Sequence, residues 1–428
     1  MKRGYVIGIE LNDEICQVSY YDEKIQQPQT IDANTTNSQI PFVIGKYAGH
    51  WIYGKEADQL KDSEKAVCVV NPVKYAINNE LVKIEDQIYD GVELMSLFFQ
   101  CILKDLKKID TIVFSIPLMN KEIVNVLKMA GEKLGVQKER IYIQDYKESF
   151  GHYIICQPRE LWQYDSVLFY CTANEMKAFI FRKIQERNGR GRDTFVVVDE
   201  VPGMRIEELE SVLPVLNTEK AKQADYKFQE MIRNIFSGRY VSSVFLAGEK
   251  FKVNWYPESL KMLVAGKRVF QGNTLYSEGA CYTAFLRRQE NCNYPIYWDD
   301  SKMKEKISMK FRVGGMEEWY PIVLWGTRWY EEDKQFEVLL ENSDDIEIRI
   351  ESLERREVET IKVCLDGLPK RNNYTLRLKA DLEFYDEKTC LITWKDVGFG
   401  AFYEPSGFQT ETWIHLGGNN GEFNSMSQ

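Results

Sequence analysis

Histidine is nearly absent from this chain: there are three in 428 residues, His50, His152 and His415. Residues so far apart give a histidine-based metal centre or a nucleophile–histidine triad little to work with. The nine cysteines include no CxxC pair, and Cys16, Cys101, Cys156 and Cys364 stand in apolar contexts. That is the pattern of reduced, buried thiols in a cytoplasmic protein. No uninterrupted apolar run reaches bilayer-spanning length, so membrane insertion is not expected. Met1-Lys2-Arg3-Gly4 leads into a strand rather than a long apolar segment, so no secretory signal is expected either. Long basic runs are missing too. With 55 Lys and Arg against 65 Asp and Glu, a net charge of −10, the chain is a poor match for a nucleic-acid backbone. The one basic cluster, Arg182, Lys183, Arg187, Arg190 and Arg192 around Asn188-Gly189, reads as a solvated hairpin tip.

What is present is apolar material: 44% hydrophobic and 13% aromatic residues. That suffices for packed interiors, and the length points to two or three domains. Gly4–Asp22 organises the first of them. Tyr5, Ile7, Ile9 and Leu11 alternate, Asn12-Asp13-Glu14 interrupts, and Ile15–Tyr21 follows as a second β-rich run, so two strands joined by a tight turn are expected. Glu10 ends the first strand. Beyond it, strands at 43–47, 67–74, Thr111–Ile116 and Ile141–Ile143 alternate with amphipathic helices. Asp90 is positioned to cap Val92–Lys108, whose stripe is Leu94, Leu97, Phe98, Cys101 and Leu106, and Gly135 stops Lys121–Leu134. Tyr146–Ile155 reads as a helix or an extended connection. Ser166–Tyr170 and Lys177–Phe181 read as a strand pair, and the polar segment Glu200–Lys227 as helical. Phe228–Phe236, Asn254–Val264 and Leu275–Arg288 read as helices around strands at Val241–Ala247 and Lys267–Phe270. This alternation predicts α/β layers. From Lys306 the character changes to period-2 strands with no long helix, predicting an all-β module of seven or eight strands. The expected organisation is 1–288 as an α/β domain (lobes of about 1–160 and 161–288), a linker at 289–305, a β-sandwich at 306–416 and a disordered tail at 417–428.

The order of these pieces resembles the DnaK-type chaperones of the heat-shock protein 70 superfamily, with its actin-like ATPase fold. Gly8-Ile9-Glu10-Leu11 resembles the family's first phosphate strand, GIDLG. Ile40-Pro41-Phe42-Val43 with Ile52-Tyr53-Gly54-Lys55-Glu56-Ala57 resembles its PSVV…VG..A hairpin. Asn71-Pro72-Val73-Lys74 is similar to the stretch holding the catalytic lysine. Ser115-Ile116-Pro117 and Lys133-Leu134-Gly135-Val136 resemble VPA…AG.L, Val244–Gly248 the adenosine strand VVLVGG, and Glu278-Gly279-Ala280 the helix bearing AYGAA. In the β module, Leu365-Asp366-Gly367-Leu368-Pro369 resembles L.GIP, and Leu382–Asp396 resembles VTFDID..GIL.VSA.DK.

The resemblance implies two ribonuclease-H-like lobes, a β domain that binds a protein or peptide client, and ATP or ADP with magnesium in the cleft. It places Gly8, Glu10, Asn12, Asp13, Gly248, Glu249 and Lys250 at the nucleotide, with Glu10 reaching magnesium through water. Lys74 and Asp145 stand where the family has its phosphate lysine and its water-positioning glutamate. Beside these roles, Lys74 also reads as a solvated strand-end lysine, Asp145 as an ordinary cap, and Glu10 as a strand-end carboxylate.

The departures fall on the chemistry. Phosphates need bare backbone N–H groups, hence glycine, but the family's DLGGGT is Tyr170-Cys171-Thr172-Ala173-Asn174-Glu175 here. A carboxylate at Glu175, facing phosphate at about 5 Å in an effective dielectric near 20, costs roughly 3 kcal/mol. Asn12-Asp13 and Glu249 replace further glycine or hydroxyl positions, and Glu10 is one methylene longer than the family's aspartate. The helical lid is expected to be absent and no clear linker motif is present; Tyr294–Asp300 is the nearest substitute. Met316, Trp319, Tyr320, Trp325, Trp329 and Tyr330 concentrate early in the β module, as core or as anchors.

The expected function is therefore a chaperone-related protein with a degenerate nucleotide site, little or no ATP turnover, and a protein or peptide client. A slow ATPase or kinase-like enzyme with a repurposed pocket, an actin-like scaffold, and a cleft that holds no cofactor stand as alternatives.

Overall fold

The computed structural model describes residues 4–31, 38–63, 65–106, 108–172, 175–188, 191–209, 218–289, 296–297, 302–341, 345–352, 357–372 and 374–416. The expected tail at 417–428, most of the expected linker, and Ala173-Asn174, Gly189 and Arg190 lie outside them. The chain divides into two units, Met1–Tyr297 and Trp298–Gln428.

The first unit is mixed α/β. One sheet contains β1 (Tyr5–Leu11), β2 (Ile15–Asp22), β3 (Gln27–Thr30), β4 (Ile109–Ile116) and β5 (Ile141–Asp145), in the order β5-β4-β1-β2-β3. β1, β4 and β5 run parallel, and β2 and β3 fold back antiparallel. The second contains β6 (Asp165–Thr172), β7 (Glu175–Asn188), β8 (Gly191–Arg205), β9 (Val241–Ala247) and β10 (Arg268–Gln271), in the order β10-β9-β6-β7-β8. Its strand directions repeat the first: β6, β9 and β10 parallel, β7 and β8 antiparallel. The same connectivity is used twice.

β1 is the middle strand of its sheet, and Val6, Ile7, Ile9 and Leu11 are all buried, because helices cover both of its faces. On one side α3 (Gly91–Ile102) brings Phe98 and Phe99 onto Phe42 and Phe114. Asp90 caps α3 in a reciprocal capping box with Glu93. The helix stops at Ile102, short of the expected Lys108, and its most buried stripe runs through Leu94, Met95, Phe98, Phe99 and Ile102.

On the other side lies α8 (Leu275–Arg287), which follows the last strand of the second sheet yet packs Ala280, Cys281 and Ala284 on Val6, Tyr21 and Val113 of the first. Conversely α5 (Tyr146–Ile155), which follows β5, packs Phe150 and Ile154 against Leu168, Phe179, Phe181 and Phe245 of the second. The two helices change places. Where they cross, Gly279 lies so close to α5 that a Cβ there would sit 2.0 Å from the Ser149 carbonyl oxygen.

Three expectations are corrected. Lys74 is not at a strand end; β-structure stops at Val70, and Pro72 opens α2 (Pro72–Ile77), where its missing N–H costs nothing. Residues 200–205, expected to be helical, complete β8, paired through Phe179↔Glu200 and Met176↔Met204. Pro202 and the preceding β-branched run override the helical reading of that polar stretch. Helix begins at Thr218, whose hydroxyl accepts from Ala221 N at 3.3 Å to start α6 (Glu219–Phe236). Ile296–Tyr297, within the expected linker, pairs with β8, and Tyr297 is buried.

The second unit is β-rich. Its strands are β11 (Glu305–Val313), β12 (Met316–Val323), β13 (Lys334–Leu340), β14 (Asp345–Ser352), β15 (Val358–Cys364), β16 (Leu376–Phe384), β17 (Thr389–Asp396) and β18 (Gln409–His415). They form two four-stranded antiparallel sheets, β12-β11-β14-β15 and β13-β16-β17-β18. In β14 the residues Ile346, Ile348 and Ile350 are buried while their neighbours are not, the period-2 signal made physical. Arg371 grips Asp396 with two hydrogen bonds, 2.8 and 2.6 Å, and Gly398 N and Ser406 N complete the shell. These bonds outweigh burial and hold the Asp396 carboxyl at about 2. Among the described residues no helix is long and apolar enough to cross a membrane.

Candidate functional site

In open α/β sheets ligands bind at the carboxyl ends of the strands. Here the ends of β1, β6 and β9 and the start of α8 converge on a cavity lined by Glu10, Asn12, Glu14, Tyr170, Glu249 and Tyr276, among others. Its volume is about 40 Å³, room for a few waters. Pockets for drug-sized ligands run to roughly 300–1,000 Å³.

The loop after β1 closes on its own side chain. Asn12 Oδ1 accepts from Glu14 N and Ile15 N, both at 2.9 Å. These are main-chain donors of the kind a phosphate would need. The turn after β9 behaves the same way: Gly248, at φ 102°, donates its N–H to Asn273 Oδ1 at 2.9 Å. Gly248 is obligatory here, since a Cβ would lie 2.2 Å from the Cys171 carbonyl oxygen.

Tyrosines fill the space between. Tyr146 and Tyr276 stack at 3.9 Å, and Tyr170 meets both edge-on at 6.1 and 5.5 Å. Tyr146 donates its hydroxyl to Glu10 Oε1 at 3.3 Å and accepts from Asn12 Nδ2 at 3.4 Å. With its amide turned to satisfy both ends, Gln17 donates to Glu10 Oε2 at 3.2 Å and to the Asn273 carbonyl at 2.7 Å. Glu10 is 3% exposed. Burial pushes its carboxyl up to about 8, against a smaller opposing effect of Tyr146, so at neutral pH it carries a proton.

A protonated carboxyl is a poor magnesium-water acceptor. No group of three or more His, Cys, Asp or Glu side chains that could hold a metal occurs among the described residues. The lining is also of the wrong sign for phosphate: three carboxylates, Glu10, Glu14 and Glu249, and no lysine or arginine. The donor set does not fit ATP with magnesium.

The other sequence candidates are dispersed. Gly8 faces α8: a Cβ there would lie 2.2 Å from Cys281 N, so its bareness serves helix packing. Lys74 Nζ pairs with Asp13 at 3.2 Å, and Asp13 also accepts from Asn71 Nδ2 at 2.9 Å. Neither lines the cavity. Glu249 does, and Lys252 sits 3.5 Å from it. Lys250 stays outside, its carbonyl accepting from Trp255 Nε1 at 2.9 Å. Glu175, expected to confront phosphates, turns to Lys177 at 3.6 Å because it lies on the β7 ladder opposite Arg205.

Asp145 caps α5, accepting from Glu148 N at 2.7 Å, while burial raises its carboxyl pKa. Replacing it with alanine is expected to cost about 1 kcal/mol of stability, as for other N-caps, measurable by urea unfolding. Tyr146, Tyr276 and Asn273 were not anticipated from sequence. The clue was available: Asn273-Thr274 immediately precedes the helix that carries Tyr276.

Residues 27–300 match the model of a family described as "Family of unknown function (DUF5716) C-terminal". Residues 302–416 match one described as "Domain of unknown function (DUF8552)". No curated protein matches the chain.

Proposed function

The chain belongs to the DUF5716 family, and we propose that it is a non-hydrolysing relative of the actin-like, DnaK-type ATPases that binds a protein or peptide through its second unit. The repeated strand order of the two sheets supports the ribonuclease-H-like layout of paired lobes. The observation that carries the loss of turnover is the cleft itself. Its loop donors are bonded to Asn12 and Asn273, and its floor is occupied by Tyr146, Tyr170 and Tyr276.

Binding then falls to the β-rich unit, read as a sandwich of its two sheets. Trp329 and Tyr330 are buried there and serve packing. Met316 and Tyr320, 68% and 64% exposed, lie on β12, the outermost strand of its sheet, and Leu324 and Trp325 follow, exposed as well. An edge strand with exposed apolar side chains offers an extended peptide both backbone bonds and anchors.

Calorimetry with ATP·Mg²⁺ is expected to give no binding, and a phosphate-release assay no turnover. Fluorescence anisotropy with a labelled, extended apolar peptide is expected to show binding that weakens at least about tenfold, or 1.4 kcal/mol, in a Met316→Ser/Tyr320→Ser chain. Hydrolysis abolished by Lys74→Ala would return the protein to the ATPases. Peptide affinity untouched by the double substitution would remove the β12 edge as its site.

A further inference from the structure

The carboxylates that repel phosphate suit a ligand of the opposite charge. Three acidic side chains line one small cavity, with no basic residue among its lining. Glu14 has no ion-pair partner among the described residues. Lys252 reaches the rim from outside, 3.5 Å from Glu249 and 3.2 Å from Gln39 Oε1, so an ammonium group is already accommodated at this edge.

A second observation is independent of charge. Tyr276 borders the cavity, is 2% exposed, and its hydroxyl has no hydrogen-bond partner. A buried, unbonded phenol costs stability unless something answers it. Its ring and that of Tyr170 meet edge-on at 5.5 Å, and tyrosine faces attract cations, most strongly where water is excluded. The size also selects. A cavity of about 40 Å³ admits a group of one or two heavy atoms.

We propose that this cavity binds a primary ammonium group, held by Glu10, Glu14 and Glu249, the faces of Tyr170 and Tyr276, and the Tyr276 hydroxyl oxygen. The group belongs to a small free amine or to the tip of a lysine side chain; the chemistry is the same. This goes beyond the function proposed above, since it concerns what the altered cleft accepts rather than what it has lost.

Calorimetry on the full chain with methylammonium chloride at pH 7, sodium chloride balancing ionic strength, is the direct test. A lysine-containing tetrapeptide tests the second source. Saturable binding of either supports the assignment, and the tighter of the two identifies the source. Tetramethylammonium is too large and is expected not to bind. Glu10→Gln and Tyr276→Phe should each weaken binding at least tenfold, the latter while keeping the ring. The proposal is overturned if neither amine binds, if potassium chloride binds equally, or if Tyr276→Phe binds as well as the native chain. ATP binding would sink the proposed function without bearing on this result.

Discussion

Substituting Gly279 by alanine is expected to destabilise the first unit by on the order of 4 kcal/mol or more, in the range reserved for severe core lesions. The new methyl would lie 2.0 Å from the Ser149 carbonyl oxygen, 2.7 Å from its carbon and 3.2 Å from Cα. All three are backbone atoms inside α5, so no side chain can swing away, and one helix must move. Overpacking of this kind usually costs 1–3 kcal/mol where a core can adjust. Here adjustment is blocked on two sides: α8 is packed on the first sheet and α5 on the second. Separating them opens both cores at once. Against a typical total of about 5–15 kcal/mol, the loss is most of the stability. Urea unfolding followed by tryptophan fluorescence measures it. Gly272→Ala is the control, with nothing within 4 Å of its added methyl and no positive φ, and is expected to change stability by less than about 1 kcal/mol. A Gly279→Ala midpoint indistinguishable from the control would refute the close crossing.

That crossing also marks where sequence reading stopped. Local signals were legible because each is contained in a few consecutive residues. The alternation of Tyr5–Leu11, the Asp90 cap with Glu93, Gly135 at φ 80° after α4 (Lys121–Lys133), and the period of Asp345–Ser352 all correspond to elements in place. Gly8 shows the limit. Its lack of a side chain was legible, but the backbone it admits, Cys281 on α8, lies far along the chain. The same holds for the candidate site. Glu10, Asn12 and Glu249 could be nominated from the loops they occupy. The tyrosines that fill the cleft come from β6 and from the first turns of α5 and α8, and only the exchange of those helices brings them together. Asn12 illustrates a further ambiguity. An asparagine in a turn serves equally as a ligand contact or as a substitute for the ligand, and two hydrogen bonds to its own loop decide for the second.

The stability of the protein is expected to fall as pH rises from about 4.5 to 8, and Glu10→Gln is expected to remove most of that fall. In the unfolded chain Glu10 ionises near its ordinary 4.5, whereas in the folded chain burial holds its carboxyl at about 8. Between those values the folded state keeps a proton that the unfolded state has released. Stability therefore declines by about 1.4 kcal/mol per pH unit, and by on the order of 4 kcal/mol across the window. Below 4.5 both states are protonated and the contribution is complete; above 8 both are ionised and it is gone. The groups facing Glu10 do not reverse the sign. Tyr146 and Gln17 donate to it, and Cys16, Tyr170 and Tyr276 are themselves pushed up, chiefly by burial, and remain neutral throughout this range. Asp145 and Glu278 are raised as well, so the native profile alone does not isolate Glu10; the difference between native and Glu10→Gln does. Glutamine keeps the shape, accepts from Tyr146 through its oxygen, and never bears the charge. The two chains should therefore be close in stability near pH 4.5, with the variant gaining steadily to a plateau of several kcal/mol above pH 8. Urea midpoints at half-unit pH intervals give the curve. Parallel curves from pH 4 to 9 would mean that Glu10 is ionised in the folded protein, and the cavity would then hold a carboxylate rather than a carboxylic acid.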